Sequence, residues 1–349
     1  METRRHWRTG ALIALLALPV VAGLGWWGGR ASLSPPEKTA DTGPVAGAAP
    51  ASGAASARPS PDVGVPRPPR PEAPLPDLAT PLRDTWQGLK QRADAGDAGA
   101  ACRLASELEF CDGIRQRLDS ASAMLADPDV MTSLRGASDE DIAARRRALT
   151  TGSERLLEQS RHCEGVPVFS PQDRVRYWRS AAHGGNVAAM RHYAVGNAFR
   201  MNDTLDNLDA LRIYRGEAEA IAQRAVAAGD LITAMTLAAS YSPHRRGNRR
   251  YLLAQSVQPD AGRALALYLY VQQRAQAGTA LPEPMQKRMA SMIRMLEADL
   301  SPDALSQARA QAARYPATAI LSPREGSLLS YMDRSGNTAN INREDCADG

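Results

Sequence analysis

Residues 177–194 read YWRSAAHGGNVAAMRHYA. The stretch predicts two short helices joined at Gly184-Gly185-Asn186, with small residues where the helices touch. Glycine ends a helix by taking a left-handed conformation that side-chain-bearing residues resist. An Asn or Asp directly after it caps the next helix by accepting a hydrogen bond from a backbone N–H. Gly185 is preceded by Ala181 and Ala182 and followed by Asn186, Ala189 and Tyr193. Aligning the chain on that glycine recovers related units. Gly229 is preceded by Ala225 and followed by Asp230, Leu237 and Tyr241. Gly96 is preceded by Ala93 and followed by Asp97, Ala100 and Leu104. Gly278 is preceded by Ala275, but its second helix departs from the pattern after Pro282 and Pro284. Alanines let the backbones approach, and the Leu or Tyr eight residues after the glycine fills the core between helices.

A helix-turn-helix unit that recurs predicts an all-α fold, a right-handed α-solenoid, and a solenoid points to binding rather than catalysis. The rest of the folded part agrees. From about Leu78 the chain reads as helix after helix, with no sustained period-two alternation of the strand type. Ser170-Pro171-Gln172-Asp173 and Ser301-Pro302-Asp303 each combine an N-cap serine, a first-turn proline and an acid. Ser138 with Asp141 forms a capping-box pattern before a long helix through residues 139–161. Ser322-Pro323 with Glu325 predicts a last helix, weakened by Gly326.

These units resemble the Sel-one-like class of tetratricopeptide-type repeats. Trp178, Ala181, Ala182, Gly185, Asn186, Ala189 and Tyr193 match that pattern most closely. The chain departs from it in three ways. Ala105, Ala194 and Ala238 stand where the family prefers Gly, and Thr233 replaces a small Ala. The turn glycines are 89, 44 and 49 residues apart, longer than the family's usual unit. The first gap has room for a degenerate repeat beside the long helix. The resemblance covers about half of residues 78–300. It implies adaptor or scaffold roles in multiprotein assemblies, often in bacterial envelopes or among secreted effectors.

The N-terminal quarter sets the compartment. Arg4, Arg5 and Arg8 precede an apolar run from Ala11 to Trp27 that meets no charge until Arg30. That order is the signature of an export signal over residues 1–30. Trp26 and Trp27 lie where an interfacial aromatic belt would sit, which favours a retained membrane anchor through residues 11–29. Gly29-Arg30-Ala31 and Val21-Ala22-Gly23 are the alternative cleavage sites. Either outcome places the folded part, residues 78–345, outside the cytoplasm, in the periplasm if the anchor stays. Residues 31–77 hold half of the chain's 24 prolines and almost no large apolar side chains, so they form a disordered linker. Extended as polyproline II, that linker spans on the order of 100 Å.

Four cysteines, at 102, 111, 163 and 346, are an even number in an exported chain, so disulfides are expected. Cys102 and Cys111 fall on one predicted helix. Nine residues of helix turn through about 900°, which puts the two on opposite faces about 13 Å apart, while a disulfide needs Cα atoms within about 7 Å. Cys163 is therefore expected to bond one of the pair and Cys346 the other.

Little else suggests chemistry. The net charge is +4, and nucleic-acid binding is not expected because no aromatic residues interleave with the arginines. The densest basic cluster, Arg245, Arg246, Arg249 and Arg250, is a solvated loop or a site for an acidic partner. Arg176 and Tyr177, beside the core position Trp178, are candidates for an exposed partner-binding face. The histidines at 183 and 192 flank the best repeat and are expected on the surface or in turns, with no third group to complete a metal site. Glu217 and Glu219 fit a solvated helix face. No nucleophile elbow, zinc-protease motif or phosphate loop is present, so no catalytic residue and no cofactor are assigned. The leading expectation is an envelope adaptor. A cell-wall-related enzyme or its regulatory subunit, and a secreted effector or inhibitor, are the alternatives.

Overall fold

The computed structural model describes residues 73–127, 138–200, 203–244, 252–278, 281, 283–318 and 343–347. All of them belong to one compact unit, Arg67–Gly349. The apolar run, the linker up to residue 72, the helix expected after Ser322 and the arginines at 245–250 lie outside the described residues. Among the described residues there are eleven α-helices and no strand, so the all-α expectation holds. No described helix is long and apolar enough to cross a membrane.

The three glycine turns are copies of one another. They join α1 (Leu82–Asp94) to α2 (Ala98–Ala126), α4 (Pro171–His183) to α5 (Val187–Ala194), and α6 (Leu208–Ala227) to α7 (Leu231–Tyr241). Gly96, Gly185 and Gly229 have φ of +94°, +95° and +95°. The residue after each glycine donates its N–H to the carbonyl five positions back: Asp97 to Arg92, Asn186 to Ala181 and Asp230 to Ala225. This is the Schellman closure of a helix C-terminus. The same side chains then cap the next helix, accepting from the N–H of Ala100, Ala189 and Thr233 at 2.8, 2.9 and 2.7 Å. One residue therefore ends the first helix through its backbone and starts the second through its side chain.

α9 (Ala261–Gln276) and α10 (Glu283–Asp299) flank Gly278, whose φ is +118°. α8 (Leu252–Ser256) precedes this pair and α11 (Pro302–Ala312) packs on α9. Consecutive hairpins pack on each other: α2 on α4, α5 on α6, and α7 on α9. The 89-residue gap holds the long helix expected there. The described part of it holds the far end of α2, the capping-box helix α3 (Asp139–Ser160) and a 3-10 turn, Arg161–Cys163. α3 leans back on α2 and buries none of its own residues, leaving α2 free to pack directly on α4.

Small residues set the approach of the helices. Ala181, Ala182, Ala189 and Ala225 are wholly buried. A Cβ on Gly184 would lie 2.5 Å from the Ala98 Cβ, so the end of α4 touches the start of α2 with no room for a side chain. The large positions fill the space between: Leu104, Trp178, Tyr193, Leu237 and Tyr241 are all buried. Fully burying each such side chain stabilises the fold by about 1.5–3 kcal/mol.

Candidate functional site

Two polar systems stand out against this hydrocarbon core. The first lies along α2. Cys102 is bonded to Cys346 and Cys111 to Cys163, with Cα atoms 5.5 and 5.7 Å apart. Cys102 and Cys111 do share one helix, so the opposite-face argument ruled out their mutual bond. Cys346 belongs to a short turn, Arg343–Cys346, that packs on α2 and α5.

Between the two disulfides, Glu107 is almost wholly buried and collects three cationic or ring nitrogens. Arg103 Nε donates to it at 2.8 Å, Arg343 Nη1 donates at 3.1 Å, and His162 Nε2 lies 2.9 Å away. The Arg343 guanidinium also lies over the Phe110 ring, 4.2 Å from its centre. Burial works against the Glu107 carboxylate, but His162, Arg343 and Arg103 outweigh it and hold its pKa below the ordinary value. Burial pulls the Arg103 pKa down, partly offset by Glu107.

Next along α2, Glu109 accepts from the Trp178 indole at 3.1 Å and pairs with His192 at 2.9 Å. Burial again opposes its charge, while His192, Arg200 and Arg174 keep its pKa low. His192 is therefore not at the surface or in a turn. It is 2% exposed and stacks against Trp178 with ring centres 4.1 Å apart, far in role from His183. The strip continues across α5, where Arg191 Nε donates to Asp230 at 2.8 Å and Arg191 Nη1 lies 3.8 Å from Asp345. A cleft of about 440 Å³ opens beside it, lined by residues that include Phe110, His162, Arg343 and Glu344.

The second system is a set of tyrosine–carboxylate–arginine clusters, one at each junction between hairpins. Asp94 on α1 accepts from Tyr177 Oη at 3.2 Å and Arg176 Nη1 at 3.1 Å, both on α4. Glu217 on α6 accepts two bonds from Arg179 at 2.7 and 2.8 Å and one from Tyr193 Oη at 2.7 Å, with His183 Nε2 at 3.0 Å. Glu219 accepts from Tyr241 Oη at 2.6 Å and from Arg263 Nη1, on α9, at 3.0 Å. Burial opposes ionisation of Glu217, but Arg179, Tyr193 and His183 bring its pKa down to about 2. Burial and the Glu217 charge push Tyr193 up, and burial with Glu219 pushes Tyr241 up to about 12.

The expected exposure of Tyr177 is corrected here: its ring is 1% exposed and only its hydroxyl reaches the Asp94 cluster. Arg176 is half exposed, yet it is tied to Asp94 and Asp173 and lies over the Tyr177 ring. Glu217 and Glu219, expected on a solvated face, are the hubs of two junctions. Nothing in the local sequence marks them, because their tyrosine and arginine partners lie 22–44 residues away. Among the described residues no three His, Cys, Asp or Glu side chains are grouped to hold a metal ion. Comparison with protein-family models, characterised proteins and solved structures finds no match.

Proposed function

We propose that the chain is a non-enzymatic protein-interaction module of a bacterial cell envelope. In this reading it is a right-handed α-solenoid of degenerate Sel-one-like repeats, held at the inner membrane through residues 11–29 with its folded part in the periplasm. The observation that carries the reading is the thrice-repeated turn, in which a glycine at positive φ is followed by an Asp or Asn that serves two helices. Repeating hairpins of this kind present extended faces to protein partners. Two disulfides support an oxidising compartment.

The test uses the full chain tagged at its C-terminus at native abundance. Acid-quenched thiol alkylation should find all four cysteines protected, and the N-terminus should be intact in the membrane fraction. In-cell crosslinking should then give the same envelope protein in every replicate, lost when residues of a hairpin junction such as Arg176 and Arg179 are replaced. Free thiols in the cell and no reproducible crosslink would sink the proposal. A cleaved N-terminus in the medium would redirect it to a secreted effector.

A further inference from the structure

The turn Arg343–Cys346 comes after every described α-helix, yet it rests on α2 and α5 in the first two hairpins. Its floor is ionic rather than apolar. Arg103, Glu107, Arg191 and Asp230 are each at least nine-tenths buried and alternate in sign, and they come from three different helices or their caps. The turn answers that pattern in order. Arg343 pairs with Glu107, Asp345 faces Arg191, and Cys346 is bonded to Cys102. Arg103 Nη1 is a buried donor with no hydrogen-bond acceptor among the described residues, a further place for an incoming carboxylate.

An apolar floor would have to stay covered to remain soluble. A floor of paired charges can be hydrated, so lifting a four-residue turn from it leaves a stable surface. We propose that this strip is a peptide-binding groove which the chain's own Arg343–Cys346 segment occupies, with Cys102–Cys346 as its lock. The occupant that replaces the segment is an extended peptide of a partner that presents an Arg and an Asp two residues apart. This rests on the interaction-module reading.

Opening is thiol–disulfide exchange with a dithiol oxidoreductase. One thiolate of the reductant attacks a sulfur of the Cys102–Cys346 bond and releases the other cysteine as a thiolate. The reductant's second thiolate then displaces the mixed disulfide. Two electrons and two protons end on Cys102 and Cys346, and the reductant leaves as a disulfide. Both protein sulfurs are fully buried, so exchange follows local lifting of the turn.

The test titrates a fluorescent synthetic peptide carrying residues 341–349, with serine in place of its cysteine, into the full chain. Wild type should not bind it. The variant Cys102→Ser/Cys346→Ser/Arg343→Ala/Asp345→Ala, whose own segment is unlocked and weakened, should bind it saturably. Adding Glu107→Gln should weaken that binding at least tenfold. No saturation by the quadruple variant, with helical circular dichroism intact, overturns the proposal.

Hydrogen exchange on Cys102→Ser/Cys346→Ser alone gives a second readout should the quadruple variant fail to fold. Faster exchange confined to 343–347 is expected. Equal loss of protection along α2 and α5 would make the segment a core element and overturn the groove. Peptide binding without any envelope crosslink would leave the groove standing and sink the adaptor reading.

Discussion

The first two hairpins and the last ones use the same helix-turn-helix plan but are held together by different chemistry. Around α2, α4 and α5 the buried polar side chains include Arg103, Glu107, Glu109, Arg174, Arg191 and His192, and both disulfides are here. From α7 to α10 the buried set includes Leu231, Ile232, Leu237, Leu265, Leu267, Val271, Ile293 and Leu296, and among the described residues the buried polar side chains after Asp230 carry only hydroxyl groups, as at Thr233, Thr236 and Ser240. Buried charges repay their desolvation only where every partner is in place. The first region is thus a lattice of mutual dependence, while the second is additive hydrocarbon packing that tolerates small changes one at a time. The proposed groove lies in the region whose chemistry can be rearranged by exchanging partners.

The largest effects should come from the cores themselves. Trp178→Ala removes a wholly buried ring and the indole donor of Glu109, at a cost of about 3–5 kcal/mol. Leu267→Ala, in the second region, removes only hydrocarbon and should cost about 2–5 kcal/mol. Urea denaturation checks both. The comparison is sharpened by adding Glu109→Leu to each. Its own cost, which comes from stranding His192 and Arg200, should be smaller in the Trp178→Ala background, where the indole bond is already gone, than in the Leu267→Ala background. Equal effects in both backgrounds would break the contrast.

Next come the caps. Asn186 and Asp230 make the same turn, but only Asp230 also pairs with buried Arg191. Asn186→Ala should cost about 1 kcal/mol, the usual value of an N-cap. Asp230→Ala should cost about 3–5 kcal/mol, because it strands a buried guanidinium as well. Similar losses from the two would mean that the Arg191 pairing adds nothing.

The disulfides should stabilise one region more than the other. Replacing Cys111 and Cys163 by serine should cost about 2–4 kcal/mol. Hydrogen exchange should show the loss at α2, α3 and α4, with α9 still protected. Parallel loss in α9 would show that the hairpins unfold as one unit and that the two chemistries are not thermodynamically separable.

The sequence made some of this legible and hid the rest for physical reasons. Turns and caps are local, so glycine followed by Asp or Asn placed three hairpins, and Ser138, Ser170 and Ser301 placed three helix starts. Helix rotation was enough to forbid a Cys102–Cys111 bond, but the choice of Cys346 for Cys102 depends on where the last turn lands, which no local pattern encodes. Tyr177 was a candidate for an exposed partner-binding face beside the core Trp178; α4 is covered by α2 on one side and α5 on another, and both rings are buried. The carboxylate hubs were missed because a Glu on a helix looks solvated until the arginine of the neighbouring hairpin arrives beside it.

The smallest and most selective effect should be that of acid. Glu107, Glu109, Asp94 and Glu217 all have folded pKa values below their ordinary ones. For Glu217 the value falls from 4.5 to about 2. A carboxyl group whose folded pKa is lowered binds protons more readily when unfolded. Its stabilisation is therefore complete above the unfolded value and fades as pH falls from about 4.5 toward 2. Glu217→Gln should flatten the melting temperature of the full chain across that window and lower it at pH 7, where the ionised carboxylate's contribution is lost, with little change at pH 2, where wild type has lost it too. Because the lowered carboxylates sit in the first three hairpins, protection of α2, α4 and α6 should decline in acid before that of α9, whose buried face carries no carboxylate. Simultaneous loss would mean that the ionic lattice is coupled rigidly to the hydrocarbon half, and that a partner entering the strip on α2 would be felt along the whole length of the helical array.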